Sequence, residues 1–276
     1  MDKNATILIS GCSSGIGLAL AREFASRGCR VFATARKPEV IEHLKKEGMY
    51  IAALDVTDRK SIDGCVAEVI AKAGKIDVLV NNAGYSLVGP VVDLSSDDLR
   101  RQFETNLIGL AALTKAVAPH MIARRSGMIV NMSSVSGVCA TPFVGAYCAT
   151  KAAVALLSDS LRMELAPFGV KVVTVQPGAI KSGFGEAAIK TVKLDPQSVY
   201  APVADYIKIR AQASQEWPTS AEDFSRMLVD RLSRKNPPAI IRLVRESVRL
   251  PLLRKLPACL RDRILSRKFG LDKLKR

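Results

Sequence analysis

The stretch that decides the fold lies near the N-terminus, where ATILIS (residues 5–10) runs directly into GCSSGIG (residues 11–17). Residues 5–10 form an apolar, β-branched run that predicts a buried strand. The apolar periodicity that follows the glycine-rich turn predicts a helix over residues 15–27. Glycines in such a turn let the backbone approach a pyrophosphate, and the free N–H groups at the start of the helix stabilise its negative charge. The GxxxGxG spacing therefore predicts a dinucleotide site, with a tight turn that binds no ligand as the alternative.

The alternation of strand and helix continues along the first 180 residues. Further β-branched runs predict strands at residues 30–35, 78–81, 128–132 and 170–175. Little polar alternation occurs inside these runs, which is typical of a parallel sheet covered by helices on both faces. The sequence therefore predicts an α/β fold: a single doubly wound parallel sheet of the Rossmann type, flanked by helices on both faces and followed by a C-terminal helical extension.

The character of the sequence changes after Pro177-Gly178. Residues 181–217 are interpreted as a long, irregular excursion, and excursions of this length in compact domains are usually functional. Its aromatic residues are Phe184, Tyr200, Tyr206 and Trp217. We expect residues 1–236 to form the nucleotide-binding catalytic domain, with residues 181–217 as a lid over the substrate. Packing of the aromatic side chains at the edge of the domain is the alternative.

Residues 237–276 are expected to complete the same domain with a basic edge strand and a helical extension. The segment 239–244 predicts the strand. Apolar residues at helical spacing predict the helix, and these are Leu253, Leu256, Leu260 and Ile264. Before this segment, a hydroxyl cap at Thr219 or Ser220 followed by Glu222 and Asp223 predicts the start of another helix.

Composition excludes several classes of protein. The 276 residues are 48% apolar and 24% charged, as in globular proteins and unlike disordered chains. No uninterrupted apolar run approaches the roughly 18 residues of a membrane span, and the first apolar run is too short for a signal peptide. The six cysteines show neither a CxxC pair nor metal-ligand spacing. This pattern predicts free thiols in a reducing compartment, a cytoplasmic protein and no metal site.

Most of the positive charge lies in the C-terminal tail. The net charge is +15, and residues 224–276 hold 16 Lys or Arg against 4 Asp or Glu, which leaves 25 against 22 in the preceding residues. Two interpretations remain open for the tail: a helix that docks on its own domain with a solvated basic face, or peripheral contact with an anionic membrane. Nucleic acid is not an expected partner, because no recognised nucleic-acid-binding module accompanies the charge.

The residues that follow the second strand predict which dinucleotide is bound. An NAD site normally has a carboxylate there, which accepts a hydrogen bond from the ribose 2′-OH and repels a 2′-phosphate. Here the strand ends in Arg36-Lys37, whose cations would attract the extra phosphate. NADP(H) is therefore the expected cofactor, with two solvated surface cations as the alternative.

Tyr147 and Lys151 predict an acid–base pair. They are four positions apart in a helical pattern and so lie on one face of that helix. A free tyrosine titrates at about pH 10, but a nearby ammonium favours the phenolate and lowers its pKa. Residues at strand ends and in an intervening helical segment accompany the pair: Asn81, Asn82, Ala83, Gly84, Asn106, Ser133 and Ser134.

These elements, in this order, resemble the short-chain dehydrogenase/reductase family over nearly the whole chain, most strongly over residues 6–182. Ser10 stands where threonine is usual in the family's TGxxxGxG motif, and Ser182 stands where threonine is commoner after the PG turn. The glycine loop, the end of the second strand and the Tyr147 segment are most similar to the steroid and retinol dehydrogenase branch, which also contains lipid-ketone reductases.

The resemblance implies a set of cofactor-binding positions at the glycine loop, at the ends of successive strands and at the PG turn. They are Gly11, Ser13, Ser14, Gly15, Ile16, Gly17, Arg36, Lys37, Asp55, Val56, Asn82, Ala83, Gly84, Tyr147, Lys151, Pro177, Gly178, Ile180 and Ser182. Within this set, Asp55 would contact the adenine, and Asn82-Ala83-Gly84 would support the sheet beside the cofactor.

The resemblance also implies a catalytic tetrad of Asn106, Ser134, Tyr147 and Lys151. Tyr147 would exchange a proton with the substrate oxygen while hydride passes between the substrate carbon and the nicotinamide, and Ser134 would hold that oxygen. Lys151 would bind the nicotinamide ribose and lower the pKa of Tyr147, and Asn106 would fix a proton-relaying water.

The implied activity is NADP(H)-dependent interconversion of a secondary alcohol and a ketone, or of an aldehyde, on a lipophilic steroid-, retinoid- or acyl-ketone-like molecule. A catalytically silent NADPH-binding regulator, or a peripheral membrane protein, is the alternative. The family often pairs through two long helices, here residues 96–124 and 147–166, and the alanine-rich stretch 149–155 would permit close approach. A homodimer, or a tetramer built from it, is the expected assembly.

Overall fold

The structure, a computed structural model, describes residues 2–213, 217–244 and 246–274. The strands are β1 Thr6–Ile9, β2 Arg30–Ala35, β3 Tyr50–Ala53, β4 Val78–Asn81, β5 Gly127–Met132, β6 Val170–Val175, β7 Ile180–Lys181, β8 Thr219–Ser220 and β9 Ile240–Ile241. The α-helices are α1 Gly15–Ser26, α2 His43–Lys46, α3 Arg59–Ala73, α4 Ser96–Phe103, α5 Gly109–Ala123, α6 Gly145–Leu165, α7 Phe184–Lys190, α8 Ala204–Gln212, α9 Ala221–Leu232, α10 Glu246–Arg254 and α11 Ala258–Lys268.

Seven strands form one parallel sheet in the order β3-β2-β1-β4-β5-β6-β9. The doubly wound sheet expected from the sequence is confirmed, and β2, β4 and β6 begin and end at the predicted residues. The edge strand β3 was not predicted, because its four residues include two alanines and an exposed Tyr50. The order reverses between β1 and β4, and a crevice therefore opens at the carboxyl ends of these strands.

Neighbouring residues of β1 show how the sheet is covered on both faces. Ile7 belongs to a core that includes Phe24 of α1 and Phe224 of α9, whereas Leu8 belongs to a second core that includes Val66 of α3. Successive side chains of a strand point to opposite faces, so a strand buried on both faces must be apolar throughout. This is why the predicted strands lack polar alternation.

The helix predicted near residue 220 is confirmed as α9. Ser220 is its N-cap residue: the Ser220 hydroxyl oxygen accepts a hydrogen bond from the Asp223 backbone N–H at 3.0 Å, and the hydroxyl donates to the Asp223 carboxylate at 2.7 Å. Glu222 and Asp223 lie in the first turn, where negative charge is favourable.

The interpretation of residues 181–217 as irregular was wrong, because helices α7 and α8 occupy much of the segment. These helices pack into a third core with Phe143, Leu265 and Phe269, so contacts distant in sequence decide their structure. Phe184 and Tyr200 fit the two expected roles, whereas Trp217 is 85% exposed. Phe184 reaches the cavity described below, and Tyr200 packs edge-on against Phe143 with ring centroids 6.1 Å apart.

The C-terminal extension differs from its predicted helix. Pro257 separates α10 from α11, and the edge strand β9 has two residues rather than the six expected. Leu260 and Ile264, expected on the apolar face, are 45% and 40% exposed, whereas Leu265 and Phe269 are buried. The extension docks on its own domain through a different stripe of side chains.

A continuous helical run from Ser96 to Ala123 is the one helix in the described residues that is long and apolar enough to cross a membrane, by length and composition alone. Leu113, Val117 and Met121 in this run are fully buried against the sheet. Core helices of globular proteins have the same composition, and the packing of this run is that of a core helix.

Candidate active site

The glycine loop after β1 requires two of its glycines for close backbone packing. A Cβ on Gly17 would lie 2.2 Å from the Gly11 carbonyl oxygen and 2.5 Å from the Asn82 side-chain nitrogen. Gly11 has φ 75°, and a Cβ there would lie 3.0 Å from the Ala83 Cα. Larger residues cannot fit at these two positions, so the backbone itself forms the wall of the crevice.

Asn82 and Ser10 hold the glycine loop against the end of β4. The Asn82 side-chain amide donates to the carbonyl oxygens of Ser10 and Gly11, both at 3.0 Å. The Ser10 hydroxyl oxygen accepts from the backbone N–H groups of Asn82 and Ala83, also at 3.0 Å. The serine that replaces the usual threonine therefore supplies the hydroxyl that locks the loop in place.

The start of α1 faces the crevice with its backbone donors available. Ser14 is the N-cap residue, its side chain makes no capping hydrogen bond, and the first turn contains no acidic residue. Uncapped N–H groups and the positive end of the helix dipole favour an anion at this position. Together with the glycine wall, these donors fit the pyrophosphate of a dinucleotide.

One cavity of about 960 Å³ runs from this loop to the C-terminal extension. The structure brings most of the predicted site residues to its wall. These are Gly11, Ser13, Ser14, Gly15, Ile16, Arg36, Asp55, Val56, Asn82, Ala83, Gly84, Ser134, Tyr147, Lys151, Pro177, Gly178, Ile180 and Ser182. Gly17, Lys37 and Asn106 do not line it.

The three residues outside the wall differ in their roles. Gly17 packs behind the loop, as its contacts with Gly11 show. Lys37 is exposed after the turn that follows β2, and only its neighbour Arg36 lies on the cavity wall. Of the two cations expected to attract the 2′-phosphate, Arg36 is thus the one at the cavity wall, and the contact predicted for Lys37 stays a prediction. One step along an extended backbone reverses the direction of the side chain.

Asn106 lies in a π-helical turn between α4 and α5 and is buried. Its side-chain nitrogen donates to the Tyr85 carbonyl oxygen at 2.9 Å and to the Thr150 hydroxyl at 3.2 Å, and its oxygen accepts from the Tyr85 N–H at 3.0 Å. Both amide hydrogens have partners within the protein. Asn106 therefore ties the loop after β4 to helix α6.

Tyr147 lies in the first turns of α6, beside the cavity. Burial raises the pKa of Tyr147 to about 12, and hydrogen bonding by the Ser134 hydroxyl lowers it only in part. A smaller lowering comes from the charge of Arg210. The ring as a whole is only half-buried, so one face meets the cavity although its hydroxyl is surrounded by protein. The phenol is therefore protonated at neutral pH.

Lys151 is buried on the same helix. Its ammonium donates to the Met132 carbonyl oxygen at 2.7 Å, and its Nζ lies 5.8 Å from the centroid of the Tyr147 ring. Burial lowers the pKa of Lys151 to about 8. The expectation that Lys151 lowers the pKa of Tyr147 is not met in this arrangement. Burial is the largest effect on each pKa, and the lowering effects on Tyr147 come from Ser134 and Arg210.

Asp55 follows β3 and is held by its own turn. Its carboxylate accepts from the Thr57 backbone N–H at 2.9 Å and from the Thr57 hydroxyl at 2.7 Å. These bonds fix the direction of the carboxylate at the cavity wall. The predicted position of an adenine contact is thus occupied by a constrained acid.

Sequence reasoning missed the residues at the other end of the cavity. Three cations lie there, Arg210 of α8, Arg249 of α10 and Lys268 of α11, with Leu253 and Phe269 among the apolar residues. Their spacing in the sequence carries no motif, and only the packing of the extension brings them together. The sequence shows the excess of basic residues in the tail, but it does not show which of their side chains face the cavity.

Comparisons with known proteins agree with this geometry. Residues 5–193 match the family model described as short chain dehydrogenase. The chain is 35% identical over 241 residues to a short-chain dehydrogenase/reductase of Pestalotiopsis microspora, which covers 86% of this chain and 83% of that protein. It is 39% identical over 178 residues to the 3-ketodihydrosphingosine reductase of Bacteroides thetaiotaomicron, covering 64% of this chain and 65% of that protein.

Solved structures show the same similarity. A crystal structure of a short-chain dehydrogenase from Streptomyces avermitilis superposes with a TM-score of 0.81 at 31% identity, over 99% of this chain and 97% of that chain. The closed form of serine dehydrogenase complexed with NADP+ gives a TM-score of 0.72 at 31% identity, over 86% and 92%. Sheet order, glycine loop and sequence identity together place this chain in the short-chain dehydrogenase/reductase family of oxidoreductases.

Proposed function

We propose that this oxidoreductase uses NADP(H) to interconvert a secondary alcohol and a ketone, or an aldehyde, of a lipophilic molecule, with Tyr147 as the general acid and base. The observation that carries the proposal is the position of Tyr147: its hydroxyl is hydrogen-bonded by Ser134 and lies on the same cavity as the glycine loop. A steroid-, retinoid- or acyl-ketone-like substrate fits the branch that the sequence most resembles.

NADP(H) is the proposed cofactor because of the residues that would meet its pyrophosphate and its 2′-phosphate. The glycine wall and the uncapped start of α1 would hold the pyrophosphate, and Arg36 would pair with a 2′-phosphate. When bound, the nicotinamide supplies or accepts a hydride. A structural relative of known structure binds NADP+.

Tyr147 would donate its proton to a carbonyl oxygen during reduction. Its pKa of about 12 keeps the phenol protonated at neutral pH, so it is ready to act as an acid. Ser134 would hold the same oxygen by a hydrogen bond, where negative charge develops. In the oxidative direction the roles reverse, and a basic medium would favour the phenolate.

Lys151 and Asn106 would act beside this pair. The Lys151 ammonium, held by the Met132 carbonyl, is in position to bind the hydroxyls of a ribose. Asn106 would be a positioning residue, because its amide joins the loop after β4 to α6. It would thereby hold that loop at a fixed distance from the helix that carries Tyr147.

The apolar part of the cavity supports a lipophilic substrate. Val88, Val144, Phe184, Leu250 and Leu253 line the same cavity as Tyr147. The Phe184 ring centroid lies 5.8 Å from that of Tyr147, so an apolar group of the substrate would meet an aromatic wall next to the acid. Polar groups in such a pocket fix orientation, and the apolar walls supply affinity.

The experiment follows oxidation of NADPH with a panel of steroids, retinal and acyl ketones. Tyr147→Phe should lower the turnover number by about 10²- to 10⁴-fold, because it removes the proton donor and leaves the ring. Its affinity for NADPH should stay unchanged. The matched control is Tyr50→Phe, which removes a phenol on the exposed edge strand β3.

Equal turnover by Tyr147→Phe and the wild-type chain would overturn the role of the phenol. Binding of NADPH without turnover of any carbonyl in the panel would favour the alternative of a silent nucleotide-binding regulator.

The proposed assembly is a homodimer. Leu156 and Met163 on α6 are 72% and 62% exposed, and Ile108 beside α5 is 49% exposed. Large apolar side chains on two adjacent long helices are a surface that a second copy could cover. Sedimentation velocity measures the mass of the assembly.

A further inference from the structure

The cavity has a cationic end that the proposed chemistry does not use. Arg210, Arg249 and Lys268 line it, and they come from three different helices, α8, α10 and α11. Among the described residues that line the cavity, the acidic ones are Asp55 and Glu104, both contributed by the nucleotide-binding half of the chain. The charged side chains that these three helices contribute to the cavity wall are therefore cationic, and cations attract an anionic ligand group.

Two of the cations converge on one buried ring. The Arg210 guanidinium carbon lies 5.8 Å from the centroid of Phe269, and the Lys268 ammonium lies 5.7 Å from the same centroid. Phe269 is 3% exposed. Arg210 is also held from the other side, because its Nε donates to the Thr141 hydroxyl at 3.0 Å. A buried aromatic and a hydroxyl thus position the positive charges instead of leaving them to move freely.

The depth of the cations differs. Arg210 is half-buried, whereas Arg249 and Lys268 are exposed and form the rim of the cavity. All three also interact within the protein. A ligand would therefore share these cations with existing partners, and the two rim residues can be replaced at small cost to folding.

Apolar side chains share the cavity with the cations and Tyr147. Leu250, Leu253 and Leu265 line the same cavity as the rim residues and the proposed acid. The charge of Arg210 reaches the phenol, since it lowers the pKa of Tyr147. One cavity thus combines a proposed proton donor, apolar side chains and a cationic rim.

We infer that the substrate is an amphipathic anion: an apolar chain or ring system with the reacting carbonyl or alcohol at one end and a carboxylate at the other. The reacting group would meet Tyr147, the apolar body would lie on the leucines, and the carboxylate would meet Arg249 and Lys268 at the rim. This inference rests on the proposed function, since it names the class of substrate for the same site.

The test compares a medium-chain keto acid with its methyl ester, using the full chain and NADPH. The two probes share the reacting carbonyl and the apolar body and differ only in charge. Wild-type kcat/KM for the acid should exceed that for the ester by at least about tenfold, the size of one charge-assisted hydrogen bond. The double variant Arg249→Gln/Lys268→Gln should bring the two values to near parity.

The matched control is Arg267→Gln. Arg267 neighbours Lys268 on α11, is exposed and does not line the cavity, so this variant removes a positive charge from the same helix without changing the rim. It should keep the preference for the acid. A general loss of positive charge would instead lower the preference in the control as well, and that result would overturn the inference.

Calorimetry with a saturated fatty acid and its methyl ester separates the two proposals, because these probes have no ketone or aldehyde group to reduce. Tighter binding of the acid by the wild-type chain, weakened by Arg249→Gln/Lys268→Gln, supports the cationic rim even when no keto compound is turned over. If the keto ester is turned over at or above the rate of the keto acid, the role of the cationic rim is overturned, while the proposed activity stands.

Discussion

The two ends of the cavity are built in different ways. At the nucleotide end the walls are backbone: a glycine loop, a helix start and the carboxyl ends of parallel strands. At the extension end the walls are side chains from α8, α10 and α11, and they converge on a third core that includes Phe269. A backbone wall recognises a ligand group that does not change, and a side-chain wall can be altered one substitution at a time. Under the proposed function, the backbone end would bind the nucleotide common to the family, and the side-chain end would select the substrate.

The largest effect is expected at the backbone wall, from Gly17→Ala. A Cβ at Gly17 would lie 2.2 Å from the Gly11 carbonyl oxygen, so the loop must move. We expect loss of measurable NADPH binding and a fall of about 1–3 kcal/mol in the free energy of unfolding. Chemical denaturation and NADPH titration measure the two effects.

The control for this change is Gly64→Ala, on the exposed face of α3 with nothing within 4 Å of its Cβ. It should raise stability by about 0.5–1 kcal/mol. Normal NADPH binding by Gly17→Ala would show that the loop is not the rigid wall proposed for this end.

The next effect concerns the cation after β2. Arg36→Asp replaces an attraction for a 2′-phosphate by a repulsion, and the ratio of kcat/KM for NADPH to that for NADH should fall by at least about tenfold. Lys37→Asp is the matched control, because Lys37 does not line the cavity. The two cofactors are compared with a common substrate. An equal change in both variants would point to the field of the surface rather than to a contact at Arg36.

A smaller effect is expected from pH on the groups between the two ends. Burial lowers the pKa of Lys151 to about 8, so its ammonium is lost as the pH rises through that value, whereas the phenol of Tyr147 keeps its proton up to a pKa of about 12. Reduction should therefore be level below pH 8 and fall by about tenfold per unit above it, where the ammonium is needed.

The check on this assignment is Lys151→Arg, whose guanidinium stays charged over the whole range. The profile of kcat/KM against pH should then lose its decline above pH 8. A decline that persists unchanged in Lys151→Arg would assign it to another group.

The smallest effect on folding and turnover is expected at the outer face of the extension. Leu252 and Leu260 are 56% and 45% exposed, so Leu252→Ser/Leu260→Ser should change the free energy of unfolding by no more than about 0.5 kcal/mol per site. Contact of this basic tail with a membrane was one of the two interpretations that the sequence left open. If the leucines insert into a bilayer, the wild-type chain should sediment with phosphatidylglycerol vesicles at low salt and the variant should not.

Phosphatidylcholine vesicles are the control for charge. Failure of the wild-type chain to sediment with either vesicle would leave docking on the domain as the role of the extension.

The parts predicted from sequence are those in which a motif and its geometry are local. The strands β2, β4 and β6 were predicted to the residue because both faces of each are buried, and Arg36 reached the cavity because it follows a strand directly. Lys37, one position further along, does not line the cavity, since neighbouring side chains of an extended backbone point in opposite directions. The helices within residues 181–217 and the register of α11 could not be predicted, because contacts with distant residues such as Phe143 and Phe269 decide them.

The two adjacent serines after β5 show how closely a strand end and a helix are joined. The Ser133 hydroxyl donates to the Lys151 carbonyl oxygen at 2.7 Å, whereas Ser134 faces Tyr147 from the next position. One hydroxyl therefore anchors the helix that carries the proposed proton donor, and its neighbour meets that tyrosine. Replacing either serine by alanine would lower the reaction rate, in one case by letting the helix drift and in the other by removing a ligand to oxygen. Measurements of the reaction rate alone would therefore not distinguish loss of the helix anchor at Ser133 from loss of the hydrogen bond at Ser134.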